Sequence, residues 1–259
     1  MKFLLNYYLL FFFCLFLACQ DSSNEQQTNA GTKNTETTPT ASPNTLSEEE
    51  ETYGWELLFD GKSTENWKGY NKASFPDKGW KVEDGMLIVE KSGTGEAGLG
   101  GSIVTKEKYE NFELTIDFLL SDTANSGILY MVTEVEGSEI WHNAPEYQVL
   151  DDARYAEKGS TNIHFTAANY DIHAAEKDFK KPKGEWNTAR IIKNKEHVEH
   201  WLNGNKVVEY ELWTPEWEDL VKSSKFKDYS GYGRTKIGQI GIQDHGYEVK
   251  FRNLKIRSI

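Results

Sequence analysis

The stretch Ile240–Leu254, "IGIQDHGYEVKFRNL", shows the pattern that recurs through the folded part of this chain. Ile240 and Ile242 alternate with small or polar residues, and apolar residues alternate with charged ones after Gly246. Alternation with a period of two is typical of strands that bury one face. The stretch therefore predicts a hairpin of two short strands joined by a turn.

The turn of this predicted hairpin carries Gln243, Asp244 and His245 in a row. Asp and Gly are ordinary turn residues, but a solvent-facing turn gives no particular reason for glutamine and histidine. If Ile240 and Ile242 point into a core, Gln243 and His245 point toward the opposite face. That face is either solvent or a binding site.

A second stretch, Pro145–Asp152 ("PEYQVLDD"), repeats this arrangement. Tyr147 and Val149 share one face of the predicted strand, and Glu146 and Gln148 share the other. Because the core of a sandwich takes one face of each sheet, two such strands can line a concave polar groove. A solvated face is the simpler alternative, since Glu and Gln are common there.

Further polar and aromatic residues stand next to these strands. Asn125 and Ser126 begin the run "NSGILYMV", which is apolar on both faces, as expected of a central strand covered on both sides. Trp141 and His142 come shortly before Glu146. Glu and His are the residues that general acid–base catalysis uses most often.

The remaining pattern is that of an all-β protein. Asn203 and Gly204 separate two strand-like runs and give the strongest short-range hairpin signal. One short helix is predicted in "TPEWEDLVKSSKF", with Thr214 as its N-cap and Pro215 at its first position. Many strands and hardly any helix predict a β-sandwich of antiparallel sheets.

The N-terminal residues predict export. Lys2 and the apolar run Phe3–Leu17 form a signal peptide over residues 1–18, which is too short for a membrane span. Cys19 follows Ala18 as in a bacterial lipobox, where the cysteine is lipidated. We expect a lipid-anchored protein of the cell envelope, and the alternative is simple cleavage to a soluble exported protein.

A polar segment lies between the predicted signal peptide and the predicted domain. Residues 19–51 carry almost nothing apolar and predict a disordered tether, so the domain is expected over residues 52–259. The other cysteine, Cys14, lies in the predicted signal peptide, so the domain holds no cysteine for a disulfide.

Charge and aromatic content indicate the class of partner. The formal net charge is −12 and no basic stripe is present, which argues against nucleic acid. The 8 Trp and 13 Tyr suit neutral sugars, whose apolar faces stack on aromatic rings, although most of these rings can equally be core. His197 and His200 are three residues apart, which places them on opposite faces of a strand and makes them a poor metal chelate.

Several blocks come in the order and spacing of a known family, among them "LLFDGKSTENWKG", "GWKVEDGMLIVE", "GEWNTARI" and "IGIQDHGYEVKFRNLKIR". Over nearly all of residues 53–259 the chain resembles the 3-keto-disaccharide hydrolase domain family of exported bacterial lipoproteins. The resemblance implies a concanavalin-like jelly roll of two curved antiparallel sheets, with a ligand groove on the concave face.

The resemblance also implies a reaction on glycosides whose sugar carries a ketone at C3. The ketone acidifies the C2 proton, a base removes it, the enolate expels the aglycone from C1, and water then adds to the enone. An ordinary glycosidase instead uses two carboxyl groups that flank the bond. The elimination route needs a base, a group that stabilises the enolate oxygen and an acid for the leaving group.

Carried over by position, the resemblance makes Glu146 and His245 the acid–base pair. A divalent cation on the groove carboxylates could serve the enolate, but the sequence shows no complete ligand set. The alternative function is a non-catalytic carbohydrate-binding or adhesion lipoprotein, which has no use for a carboxylate opposite an imidazole. The candidates for contacting the sugar are Gln148, Gln243, Asp244, Asn125, Ser126, Trp141 and His142.

The predicted anchor is tested by replacing its lipidated residue. We expect the wild-type protein to partition with membranes and a Cys19→Ser variant to be released, because the lipid attaches to that sulfur. Fractionation of cells expressing both proteins measures this. Unchanged membrane association of the variant would show that Cys19 is not the anchor.

Overall fold

The computed structural model describes residues 42–93 and 98–259. In these ranges the chain forms thirteen strands, three α-helices and two 3₁₀ turns, the latter at Ile140–His142 and Asn162–His164. The predicted signal peptide, Cys19 and the predicted tether as far as residue 41 lie outside these ranges. Within them, every helix is too short or too polar to cross a membrane.

The elements follow one another along the chain with short connections. The helices are α1 (Glu48–Thr52), α2 (Asp152–Ala156) and α3 (Pro215–Ser223). The strands are β1 (Glu56–Leu57), β2 (Trp67–Gly69), β3 (Trp80–Glu83), β4 (Met86–Val89), β5 (Ile103–Thr105), β6 (Phe112–Leu120), β7 (Asn125–Val132), β8 (Glu146–Leu150), β9 (Asn187–Asn194), β10 (His197–Leu202), β11 (Asn205–Glu211), β12 (Gln239–Ile242) and β13 (Val249–Ser258).

Two antiparallel sheets contain all of these strands. The larger sheet has the order β11-β10-β9-β6-β13-β4-β3, and β1 pairs with β13. The smaller sheet has the order β2-β5-β12-β7-β8. This architecture confirms the predicted all-β, concanavalin-like jelly-roll sandwich. The structure adds two five-residue helices, α1 and α2, to the single helix that the sequence predicted.

The main core lies between the two sheets. Phe112 and Phe118 of β6 are wholly buried and belong to the same hydrophobic cluster as Tyr130 of β7 and Tyr147 of β8. The rings of Phe112 and Tyr130 meet edge to face at 6.5 Å. Burying one such ring stabilises the fold by roughly 1.5–3 kcal/mol. The aromatic rings that β6, β7 and β8 turn inward therefore hold the two sheets together.

Strand β7 is covered on both faces, as its sequence predicted. Ile128 belongs to the main core, whereas Leu129 and Val132 belong to a second cluster with Ile140 and Ala144. The second cluster covers part of the outer face, which is the face of the smaller sheet turned away from the larger sheet. All eight residues of β7 are therefore buried.

The predicted hairpin at Ile240–Leu254 is wrong in its pairing. Both strands form, but β12 pairs with β5 and β7 in the smaller sheet, whereas β13 pairs with β6, β4 and β1 in the larger one. Alternation identifies the buried face of a strand and not its neighbour. Residues 243–248 can span ~20 Å in extended form, more than the ~10 Å between packed sheets. The polar run therefore lies where the chain crosses between sheets.

Two other local predictions are confirmed. Asn203 and Gly204, both with positive φ, join β10 to β11, and Leu202 pairs with Asn205. Helix α3 begins at Pro215, and the backbone N–H of Trp217 donates to the Thr214 hydroxyl at 3.2 Å.

The predicted boundary between tether and domain at residues 51 and 52 is also wrong. Asn44 is buried, its Nδ2 donates to the Gly85 carbonyl at 2.8 Å, and its backbone N–H donates to Asn253 Oδ1 at 2.7 Å. The backbone N–H of Asn253 in turn donates to Asn44 Oδ1 at 2.8 Å. Polar composition argues only against apolar burial, and this segment docks through hydrogen bonds instead.

Helix α1 extends the same contact. Its N-cap Ser47 and Glu50 form a reciprocal capping box. Lys255 of β13 then places its ammonium 2.7 Å from a Glu50 carboxylate oxygen. The folded domain accordingly includes the segment from Asn44 onward.

Candidate active site

The outer face of the smaller sheet carries the polar residues that the alternation predicted. Gly127 of β7 pairs with Gln148 of β8, and the backbone N–H of Gln243 donates to the Gly127 carbonyl at 2.9 Å. Their sequence neighbours Tyr147 and Ile242 pack in the main core. Gln243, directly after β12, therefore forms one row with Gly127 of β7 and Gln148 of β8, facing away from the larger sheet.

Glu146 lies next to this row, opposite Leu129. Its side chain occupies the space above Gly127, where an added Cβ would lie 2.6 Å from Glu146 Cδ and 2.7 Å from Cγ. A glycine in a strand interior often marks such a close approach. The carboxyl group is thus packed against the sheet, and Glu146 is only 3% exposed.

Burial changes the acidity of this carboxyl group. The removal from water raises the pKa of Glu146 to about 7, and the positive charge of Lys225 opposes that rise. A buried carboxylate is costly because the protein replaces its hydration poorly. Glu146 therefore exchanges its proton near neutral pH, which suits a general base or acid.

An aromatic cluster surrounds Lys225. Its ammonium lies 4.2 Å from the centre of the Tyr170 ring and 4.4 Å from that of Trp141. The Tyr229 ring meets Trp141 edge to face at 5.5 Å and stacks on His142 at 4.1 Å. The predicted residues Trp141 and His142 thus belong to the group around Lys225, on the same side as Glu146.

The predicted partner His245 belongs to a second group. Its ring lies 6.1 Å from that of Tyr247. Burial raises the pKa of the Tyr155 phenol of α2, and Tyr247 in turn is close enough to that phenol to raise its pKa further. The Asn125 side chain is also close enough to Tyr155 to affect its pKa, which it lowers. Tyr247 and Tyr155 therefore link His245 to Asn125 at the start of β7, and Gln243 and Gly127 each lie two residues along the chain from this group.

Several buried polar side-chain atoms lack hydrogen-bond partners within the described part of the chain, and two of them bear on the candidate site. They are Oδ1 of Asn125 and the hydroxyl of Tyr232. Burial raises the pKa of Tyr232 well above its ordinary value, and the nearby Glu146 charge adds to the effect. A buried polar group without a partner costs stability, so such atoms indicate a place for water or a polar ligand.

The two glutamines differ in what they offer. Gln148 Oε1 accepts the backbone N–H of Val149 at 2.8 Å, so that oxygen already holds the protein backbone. Its amide nitrogen and the Gln243 side chain remain the candidates for sugar hydroxyls. Both residues are buried, so a ligand would contact only their tips.

Asp244 and Ser126 correct the predicted set of sugar-binding residues. The Asp244 carboxylate is wholly buried and accepts backbone N–H groups from Gly100, Gly101 and Gly246 at 2.9–3.1 Å. The Ser126 hydroxyl, also wholly buried, donates to the Gln243 carbonyl at 2.7 Å. Both side chains hold loops in place and leave no polar atom exposed for a sugar.

Glu146 does not provide a metal site with its neighbours. In the described ranges, the group of three His and carboxylate side chains close enough to share an ion lies on β10 and β11, in the other sheet. Lys225, the charged neighbour of Glu146, is a cation and opposes metal binding there. The possible cation on the groove carboxylates therefore does not fit these residues.

Lys225 follows α3 in a polar stretch, and no pattern in the sequence indicated a role for it. Tyr170 and Tyr229 likewise come from irregular segments that alternation does not describe. Gly127 had a signal, because a glycine within an apolar strand suggests that another group approaches the backbone closely. Two surface cavities, of about 460 and 630 Å³, lie elsewhere, beside Asp152 and beside His197.

Comparison with known proteins identifies relatives over most of the chain. Residues 54–257 match the family described as a 3-keto-alpha-glucoside-1,2-lyase-like domain. A 3-keto-disaccharide hydrolase of Bacteroides thetaiotaomicron is 39% identical over 227 residues, which is 79% of this chain and 78% of that protein.

Two crystal structures from Parabacteroides distasonis ATCC 8503, both named provisionally as glycosyl hydrolases, share the fold. One is 33% identical with a TM-score of 0.76 and covers 84% of this chain and 100% of its own. The other is 29% identical with a TM-score of 0.59 and covers 79% and 99%.

The raised pKa of Glu146 predicts how stability depends on pH. The unfolded chain loses this proton near 4.5 and the folded chain near 7, so the free energy of unfolding falls as pH rises between these values. We expect the Glu146→Gln variant, which cannot ionise there, to gain roughly 3 kcal/mol relative to wild type between pH 4 and pH 8.

Urea denaturation across that pH range measures the difference. The control is Glu136→Gln, which alters an exposed carboxylate and should follow the wild-type curve. Parallel curves for Glu146→Gln and wild type would show that Glu146 has an ordinary pKa.

Proposed function

This chain belongs to the 3-keto-alpha-glucoside-1,2-lyase-like domain family, and from that premise we propose that it cleaves 3-keto-glycosides by elimination and hydration. Membership of the family supports a carbohydrate hydrolase with a glycoside substrate. The observation that carries the finer proposal is a single buried carboxyl group, Glu146, whose pKa is raised to about 7 beside the Lys225 cation.

Glu146 is proposed as the base of the first step. Its carboxylate takes the C2 proton of the sugar, and the electron pair of that C–H bond becomes the enolate of the C3 ketone. The enolate then re-forms the ketone and a C1–C2 double bond while the C1–O bond breaks, and the aglycone leaves with a proton. Water adds to the enone in the second step and restores the hydrogen at C2.

Lys225 is proposed to stabilise the negative charge that develops on the enolate oxygen. A fixed positive charge in a site of low water content stabilises such an oxyanion more strongly than it would in bulk water. The rings of Trp141 and Tyr170 hold the ammonium near Glu146. These rings also offer apolar surface on which a sugar can stack.

His245 is proposed to handle the leaving-group proton. It lies in the group with Tyr247, whereas Glu146 lies beside Lys225, so His245 would act on a different part of the glycoside from Glu146. Asn125 Oδ1 lacks a hydrogen-bond partner in the described residues. It is a candidate for holding a hydroxyl group of the substrate sugar.

We further propose that the domain acts outside the cytoplasm, anchored through Cys19. The support for this is the sequence of the first residues alone. A lipid anchor would hold the domain at the envelope where glycosides arrive.

Loss of the base should abolish turnover. We expect Glu146→Gln and His245→Ala each to lower kcat/KM on a chromogenic 3-keto-glucoside at least ~100-fold, because a positioned acid or base contributes about 10²–10⁴ to a rate. Glu136→Gln, at an exposed position, is the matched control and should turn over like wild type. In D₂O the product should carry deuterium at C2, which direct hydrolysis would not produce.

The pH profile separates the roles of the two charged residues. Since Glu146 must be ionised to act as a base, wild-type kcat/KM should rise with pH and level off above about 7. Lys225→Met removes the charge that lowers this pKa, so its profile should shift to higher pH and its kcat should fall.

The binding alternative gives a different result. A protein that binds 3-keto-glycosides without turnover, in wild type and Glu146→Gln alike, would be a carbohydrate-binding module. Full activity of Glu146→Gln would exclude Glu146 as the base.

A further inference from the structure

A cluster of ligand-type side chains lies on the larger sheet, remote from Glu146 in the topology. In the β10–β11 ladder His197 pairs with Glu211, and Glu199 pairs with Glu209. Val198 and His200, which alternate with His197 and Glu199 along β10, are buried. The side chains of the two paired couples therefore share the face of the sheet that is turned away from the core. His200 itself is bound inside the protein by Tyr130 and the Ala167 carbonyl.

The spacing of three atoms in this cluster matches a small metal ion. His197 Nε2 lies 3.4 Å from a Glu199 carboxylate oxygen and 3.4 Å from a Glu209 oxygen, and all three ligand atoms lie within 4.8 Å of one another. Two ligands bound to tetrahedral zinc at about 2.0 Å are themselves about 3.3 Å apart. The two imidazole–carboxylate distances therefore need almost no adjustment.

Groups behind two of the three atoms, those of His197 and Glu199, already orient them. Glu211 lies 2.6 Å from His197 Nδ1, and a proton held there leaves Nε2 as the ligand atom. Trp201 Nε1 donates to Glu199 Oε2 at 2.7 Å, which leaves Glu199 Oε1 toward the cluster. A carboxylate behind the histidine and a donor behind the carboxylate are the outer contacts that metal ligands in proteins usually have.

Charge also favours a cation at this place. Three carboxylates meet here, and Lys206 places its ammonium 3.2 Å from Glu199 and 2.7 Å from Glu209. Lys206 thus supplies one positive charge against three negative ones. A divalent ion would balance the cluster better, and it would compete with this ammonium for the same oxygens.

The cluster opens onto a surface cavity of about 630 Å³, which His197, Glu209 and Glu211 help to line. Three protein ligands with an open side leave room for a water molecule as the fourth ligand. The nitrogen ligand selects zinc-type ions over calcium and magnesium, which prefer oxygen ligands alone.

We propose that His197, Glu199 and Glu209 form a binding site for a divalent transition-metal ion of the zinc type. The arrangement of ligand atoms and of the groups behind them carries this assignment. The ordinary alternative is an ion-pair network among surface residues, completed by Lys206.

Isothermal titration of the metal-free protein with Zn²⁺ tests the proposal. We expect one ion per chain with a Kd in the micromolar range, and a Kd at least ~10-fold weaker for His197→Ala and for Glu199→Gln, because each removes one of three ligands. Lys206→Met should bind more tightly, since it removes the competing ammonium. His164→Ala is the matched control, since His164 pairs with the single carboxylate of Asp171.

Circular dichroism of each variant confirms that a loss of binding is not a loss of fold. Absence of saturable Zn²⁺ binding below the millimolar range in folded wild-type protein would overturn the proposal. So would a His197→Ala variant that binds as tightly as wild type, or calcium that binds as well as zinc.

Discussion

The packing of one carboxyl group against one glycine determines the chemistry that the outer face can perform. Glu146 fills the space that Gly127 leaves open, and burial there raises its pKa to about 7. A side chain at position 127 would push the carboxyl group outward into water, where its pKa would return toward the ordinary value. The acidity of Glu146 is thus set by the sheet itself, through the pairing of β7 with β8.

The rest of the smaller sheet places other groups relative to this carboxyl group. Lys225 lies near Glu146 within an aromatic cluster, and His245 lies in a separate group with Tyr247. Asp244 holds the glycine loop at the point where the chain crosses between sheets. On the proposed function, the Glu146 carboxyl group, the Lys225 cation and the separate His245 imidazole suit elimination next to a ketone better than they suit paired-carboxylate glycoside hydrolysis.

The sequence was sufficient for the fold class and for the faces of the strands. Alternation correctly placed Glu146, Gln148 and Gln243 opposite the core, because side chains of a strand must alternate. It could not identify the partner of β12, since pairing depends on long-range packing, and the predicted hairpin was wrong. Lys225 was missed because irregular segments carry no periodic signal, and Asn44 docks through hydrogen bonds that composition does not reveal.

Titration of the Glu146 carboxyl group alone shows most directly whether it ionises near neutral pH. Carbon-13 NMR of protein labelled at the glutamate side-chain carboxyls, with the resonance assigned by its loss in the Glu146→Gln variant, follows the proton on this residue. We expect a midpoint at about 7 if burial against Gly127 sets this pKa. A midpoint near the ordinary 4.5 would contradict it.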